Sequence, residues 1–518
     1  MDGGSNQLRI NLGFLGPRLD KSFLHATALV VVSTLLFFGR SGCPLQEPEE
    51  PRYAEIARQM LEKGNLVVPV LHGLAYYDKP PLLYWLIMGC YALFGVHDWA
   101  ARLVSCGAGF LSVWLTYFWG KQTVGPRAAF AGAMILCLSG RFVYLGRLVT
   151  MNSLLCLCVV AALAFAHRAL SGPSIRWGWW LLSAAACALG LLTKGPVALA
   201  LVAAPVLAFQ IVDRRTPRPR LSHWLAYLAL TVGLASPWYL MLTAHDPHFL
   251  SYFFWRHNLL RYVAPFDHAK PWWFYLPELA VGMLPWPLLL IPLLIHLRRS
   301  TQPRAQQPAA LGFFLLAASW CLVFYSIAGS KRAGYILPAM PPLALVFGCY
   351  LGGALARLPG PSRRRATVSW VCSGAAVFAG LLIGLHLVLP GYARKFSLRG
   401  QVRPLAKLVQ NPEIQVICYP RGWDSVGFYL HRDDVRVYTP NERPQLVADL
   451  KTKPQTLAFI KSDHSLDEFL QDLRGSMEFI PQGRAGDVTA GWVCPKSDRR
   501  QLVKQFRDDR SPAIRWPL

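Results

Sequence analysis

Long apolar runs separated by short polar connectors fill the first three quarters of this 518-residue chain. Runs near the roughly 20 residues that a helix needs to cross a bilayer fall at 22–39, 100–119, 128–145, 151–167, 178–193, 195–212, 222–242, 273–297, 309–328, 335–356 and 367–389. A further run at 81–96 is shorter and opens on two prolines, which fits a tilted span or a helix lying along the interface. The pattern predicts a polytopic α-helical membrane protein of about 11–13 spans. Beyond residue 389 the runs stop and charge rises. Short alternating stretches there predict strands at 415–419, 435–438, 456–460 and 492–494, and amphipathic helices at 443–450 and 465–473. The chain therefore divides into a transmembrane domain, 1–389, whose first outer loop is 40–80, and a soluble α/β domain, 390–518. That second domain carries no Gly-rich phosphate loop, triad signature or HExxH, so its expected role is packing or shaping a substrate.

Composition agrees: 53% of residues are hydrophobic and 16% charged, against about a quarter charged in soluble proteins. The net charge of +25 comes from basic residues in short connectors rather than from a basic, aromatic-interleaved face, which excludes nucleic acid as a partner and leaves membrane lipids. These charges also orient the chain. The connectors holding Lys121/Arg127, Arg168/Arg176, Arg214 to Arg220, Arg298 to Arg304 and Arg357 to Arg365 contain a single acid, Asp213, and are placed in the cytoplasm. The N-terminal tail joins them, with the first run as a retained span because no small-residue cleavage site follows it. The C-terminal domain then lies on the opposite side. Most of the twelve cysteines sit inside apolar runs as small hydrophobes; in the tail, Cys418 and Cys494 are expected to form a disulfide outside the cytoplasm.

The outward connectors hold the candidate chemistry. In the first of them Ile56, Ala57 and Met60 recur at helical spacing, which puts Glu49, Glu50 and Arg52 at a helix N-terminus, an end that favours anions. Arg52 and Lys79 on one membrane surface make a seat for a phosphate, or else pair with lipid head groups. Glu49 and Glu50 could supply a general base, or a structural ion pair with Arg52 or Arg58. Tyr53, Tyr77, Tyr84, Trp85, Trp272 and Trp273 offer flat faces to a sugar or form an aromatic belt. His72, Asp78, His257 and His268 lie outside without HxH or HxxxH spacing, so no metal or other cofactor is predicted or required, although a divalent ion could be held.

One pattern is specific. Glu49-Glu50-Pro51-Arg52-Tyr53-Ala54-Glu55-Ile56, followed by Tyr77-Asp78-Lys79-Pro80-Pro81 and Tyr84-Trp85, resembles the first outer loop of the aminoarabinose transferase (ArnT-like) and dolichyl-phosphate-mannose protein mannosyltransferase superfamily. The similarity continues at Gly146-Arg147 to Asn152, Thr193-Lys194-Gly195-Pro196, Pro237-Trp238-Tyr239, Phe253 to Arg261, Pro271 to Tyr275, and Ser330-Lys331 to Pro338, and covers roughly 20–350. It implies a GT-C glycosyltransferase of the bacterial inner membrane. Such an enzyme moves a hexosyl or pentosyl group from a polyprenyl (undecaprenyl) phosphate donor to a lipid, glycan or protein acceptor on the outer face, as in lipid A or surface-glycan modification, with inversion and without a nucleotide. Carried over by motif, the catalytic carboxylate falls on Glu49, with Glu50 beside it, and the donor phosphate on Arg52 and Lys79, with Arg147, Lys194 and Lys331 as further candidates. Tyr53, Asp78, Tyr84, Asn152, His257 and Tyr335 would shape the substrate site. Two positions depart from the family pattern: the first acid is usually Asp rather than Glu49, and the second acid is here Asn152, which cannot act as a base. The rival readings are a transporter or flippase for a lipid-linked substrate, which predicts ionisable residues at span midpoints and an internal repeat, and a catalytically weakened homologue.

Overall fold

A computed structural model describes residues 21–39, 42–265, 267–299, 309–453, 455–473, 475 and 477–499. The N-terminal tail on which part of the orientation rests lies outside the described residues. Among them, six helices are long and apolar enough to cross a membrane: 98–123, 151–170, 221–245, 310–327, 333–357 and 360–396. Two further runs fold as bent pairs, Pro126–Cys137 with Gly140–Arg147 at 62° and Trp272–Gly282 with Trp286–Ile295 at 100°, which brings the number to eight if each pair is one span. Three further apolar helices, Ser22–Phe38, Leu82–Phe94 and Val197–Val212, are shorter. The difference from 11–13 has a physical cause. Each bent pair answers one expected run, 128–145 or 273–297, broken beside Gly140 and at Pro285 and Pro287; the rest of the difference lies in the three shorter helices and in Trp177–Lys194, whose ends carry glycine, tryptophan and lysine. The chain is a multi-pass membrane protein.

The segment 42–80 is built around the helix α1 (Glu49–Glu62), whose Tyr53, Ala54, Ile56, Ala57 and Met60 are buried. They pack against the helix α2 (Leu82–Phe94) through Leu83, Tyr84 and Ile87, and continue into the C-terminal domain through Val402, Val426 and Tyr429. One apolar core therefore serves both this segment and the C-terminal domain. Between the two helices a hairpin, β1 (Val70–Leu71) and β2 (Leu74–Ala75), turns at His72 and Gly73.

The C-terminal domain carries a five-stranded sheet. Its strands are β3 (Gln415–Tyr419), β4 (Arg436–Val437), β5 (Thr456–Lys461), β6 (Met477–Ala485) and β7 (Val488–Pro495), in the order β4-β3-β5-β7-β6. β3 runs parallel to both β4 and β5, while β7 runs antiparallel to β5 and β6. The tail disulfide does not form: Cys418 on β3 and Cys494 on β7 are free, buried thiols. With β5 between them they are two strand spacings apart sideways, about 9–10 Å, and Cys494 is offset along the strands as well, since Cys418 pairs with Phe459 and Phe459 with Ala490, which is beyond the reach of a disulfide.

Candidate functional site

Helix ends and the segment that holds α1 enclose a polar cavity of about 330 Å³ lined by Glu49, Arg52, Tyr53, Tyr76, Asp78, Lys79, Asn152, Lys194, His257, Arg261, Arg332 and Tyr335, among others. An apolar-walled cavity of about 470 Å³ adjoins it and shares Asp78, Lys79, Lys194, His257, Arg261 and Tyr335; its remaining wall includes Val197, Ala200, Phe254, Phe324 and Tyr325. Six Lys or Arg side chains face three acids in the polar cavity, an arrangement that seats an anion.

Each side chain is delivered by a definable local feature. Glu49 and Arg52 lie one turn apart on α1 and face the same side. Glu49 forms an ion pair with Arg332, which reaches over from the turn after the helix Ala309–Ile327. Lys194 ends the helix Trp177–Lys194, where Gly195 at φ +84 reverses the chain. A Cβ at 195 would sit 2.9 Å from the ring of Phe253, so the turn takes glycine only. Lys194 Nζ donates to Asn152 Oδ1 at 2.8 Å and lies 3.8 Å from the centre of the Tyr335 ring. Asn152 thus occupies its place as a neutral acceptor for a cation.

Lys79 sits at the junction of the two cavities. Its ammonium donates to the Asp78 carbonyl at 3.0 Å and to His257 Nε2 at 2.9 Å. A lysine ammonium can only donate, so His257 accepts at Nε2 and carries its proton on Nδ1, which lies 3.6 Å from Asp78 Oδ1. His257 is then neutral, in keeping with burial and the adjacent Lys79 charge, which hold its pKa down to about 3. Asp78 also accepts from the Tyr252 hydroxyl at 2.7 Å. Arg261 is held by Asp267 through two bonds, 2.9 and 2.7 Å, and Ser330 donates to the same carboxylate at 3.0 Å.

Four of the residues singled out in the sequence lie elsewhere. Glu50 is sealed beneath α1, where it accepts from Arg102 at 2.9 and 2.6 Å and from the backbone N–H groups of Gln46 and Val149. Arg147 donates to the carbonyls of Leu36 and Gly39. Lys331 donates to the carbonyls of Lys270 and Ala328, and Tyr84 is buried against Tyr53. None of these four lines the polar cavity. Conversely, the sequence reading passed over Tyr76, Tyr252, Arg256, Arg261, Asp267 and Arg332 as site residues. Arg332 follows Lys331 in an extended backbone, φ −131° and ψ 144°, so the two neighbours point to opposite sides. A basic pair marked the place without saying which member faces inward. Among the described residues no group of three or more His, Cys, Asp or Glu side chains is placed to hold a metal ion.

Known proteins place this architecture. A family model for dolichyl-phosphate-mannose-protein mannosyltransferase matches residues 78–239. The backbone superposes on ArnT from Cupriavidus metallidurans, solved bound to undecaprenyl phosphate, with a TM-score of 0.75 at 22% identity, covering 90% of this chain and 97% of that one. Fold and cavity together define a membrane protein of the GT-C glycosyltransferase fold. Among relatives, the undecaprenyl phosphate-α-4-amino-4-deoxy-L-arabinose arabinosyl transferase of Pectobacterium atrosepticum is 33% identical over 390 residues, 72% of this chain and 68% of its own length. Arabinosyl transferase 1 of Pseudomonas fluorescens is 33% identical over 306 residues, and the match spans about half of that relative, 53% of its length. The chain belongs to this ArnT-like arabinosyl transferase family.

Proposed function

We propose that this chain is an inverting glycosyltransferase that takes a sugar from a polyprenyl phosphate donor, undecaprenyl phosphate in the relatives' names, to an acceptor on the outer face of the bacterial inner membrane. The observation that carries this reading is the shared wall of the two cavities: Lys79, Lys194 and Arg261 border both the cation-rich cavity and the apolar one. A phosphate with a long hydrocarbon tail matches both halves at once, with head group on the cations and chain along Val197, Phe254 and Phe324. The positive-inside pattern supports cytoplasmic basic connectors, an outer-facing site and a periplasmic C-terminal domain.

In the proposed step an acceptor oxygen attacks the anomeric carbon as the bond from that carbon to the phosphate oxygen breaks, and the polyprenyl phosphate leaves. Arg52, Lys79 and Arg261 neutralise the charge that grows on it, which lowers the barrier because it acts on the transition state more than on the ground state. Glu49 receives the proton when the acceptor is a hydroxyl. Asn152, an amide that accepts from Lys194, supplies no base at the second position. Glu49→Gln is expected to lower transfer to a hydroxyl acceptor about 10²–10⁴-fold while native mass spectrometry still detects bound undecaprenyl phosphate. A loss under tenfold would remove Glu49 from the proton transfer.

The same seat carries a pH signature. Burial pushes the Lys79 ammonium down to about 8, with Asp78 opposing and Arg261 adding to the shift. Below that value the empty site holds its cation, and above it the cation is lost, so affinity for undecaprenyl phosphate is expected to fall roughly tenfold from pH 7 to pH 9. Titrations across that range that show constant or rising affinity would take Lys79 out of the phosphate seat.

A further inference from the structure

The C-terminal domain does not line the polar cavity, but it grips one residue that does, Arg52. After β3 the chain turns into a short helix, Asp424–Leu430, that packs on α1 within their common core. Its first residue, Asp424, divides its carboxylate between two parts of the first loop: Oδ2 accepts from Arg52 Nε at 2.9 Å, and Oδ1 is 2.8 Å from His72 Nε2. The carboxylate is 7% exposed, while the Arg52 side chain is 32% exposed. His72 holds its side of the arrangement from the tip of the β1–β2 hairpin at φ 51°, a conformation that a non-glycine residue adopts at a cost. The next residue, Ser425, donates its backbone N–H to Glu47 at 2.8 Å, which fixes the start of the helix against the loop leading into α1.

Arginine is long and loses rotamer freedom when it binds an anion. Asp424 takes the inner nitrogen, Nε, and thereby fixes the plane of the guanidinium that borders the cavity. We propose that Asp424 is a positioning residue for the transfer reaction, making the C-terminal domain a working part of the donor-phosphate site through Arg52. This rests on the reading of the polar cavity as the seat of a lipid phosphate.

The test is a double-mutant cycle on the full-length protein, with undecaprenyl phosphate as the probe and dissociation constants as the readout. Arg52→Ala is expected to weaken binding by about 10–100-fold, the range for losing charge-assisted hydrogen bonds. Asp424→Ala is expected to weaken it about 5–10-fold alone, and to add no more than about 3-fold on top of Arg52→Ala, because a residue that acts through Arg52 has little left to act on once Arg52 is gone. Asp424→Asn keeps an acceptor oxygen without the charge and is expected to stay within about 3-fold of the parent if orientation is what matters. Tyr429→Phe removes two separate bonds from the domain, the hydroxyl donating to Asp98 at 2.6 Å and accepting from the Leu45 N–H at 2.9 Å, and serves as the control for docking. Losses that multiply, an Asp424→Ala protein that binds as well as or better than the parent, or a Tyr429→Phe protein that loses as much as Asp424→Ala would each overturn the proposal. A parent protein that does not bind undecaprenyl phosphate would overturn the cavity reading itself and this inference with it.

Discussion

Alanine at position 79 is expected to lower the rate of sugar transfer by about 10²–10³, the loss that follows removal of one preplaced donor to a developing anion. Lys79 is placed for a large effect. It stands where the polar and apolar cavities meet, so its charge acts on a phosphate in surroundings that water screens poorly. Its loss also removes the bond that fixes His257 in its Nδ1-protonated form, leaving Arg261 Nη1 at 3.4 Å as the remaining donor to Nε2. Arginine is not expected to rescue it, because a flat fork cannot replace a compact ammonium between the Asp78 carbonyl and His257. Single-turnover transfer from a polyprenyl-phosphate sugar, compared for the parent, Lys79→Ala and Lys79→Arg, checks this. Parent-like rates in the alanine protein would separate the cation from the chemistry.

A second large effect is expected in stability. Glu50→Ala should destabilise the fold by about 3–5 kcal/mol, the range for stripping one partner from a buried ion pair. Glu50 is 1% exposed and Arg102 4%, and the carboxylate satisfies two arginine donors and two backbone N–H groups at once. One of those is Val149, three residues before Asn152, so the loss would loosen the segment that brings Asn152 to Lys194. Glu50→Gln keeps acceptor capacity and should fall between. Unfolding of the purified proteins in detergent checks the order. An alanine protein with parent-like stability and no transfer activity would mean that Glu50 works in the chemistry and that the ion pair with Arg102 is incidental.

The contrast between Glu49 and Glu50 shows what sequence could and could not deliver. Apolar spacing at Ile56, Ala57 and Met60 was enough to predict α1 and to put both acids in its first turn. Successive residues on a helix point about 100° apart, however, so one faces the cavity and the other the core, and nothing in the local pattern says which. The same ambiguity separated Arg332 from Lys331. In the tail, β3 was legible because Val416, Ile417 and Cys418 form a continuous buried run. β6 was not, because it is an edge strand interrupted by Pro481 and by a register shift before Gly483. Asp424 lies 372 residues from Arg52, and a contact of that span leaves no local trace in the chain.

The surplus of cations in the polar cavity has a kinetic side. Under the proposed reaction the donor is a phosphodiester with one negative charge, whereas the spent polyprenyl phosphate is a monoester carrying about −1.5 to −2 at neutral pH. Six basic side chains facing three acids therefore hold the product more firmly than the substrate it came from. Turnover is then governed by escape of the leaving group into the bilayer, and the first cycle outruns those that follow.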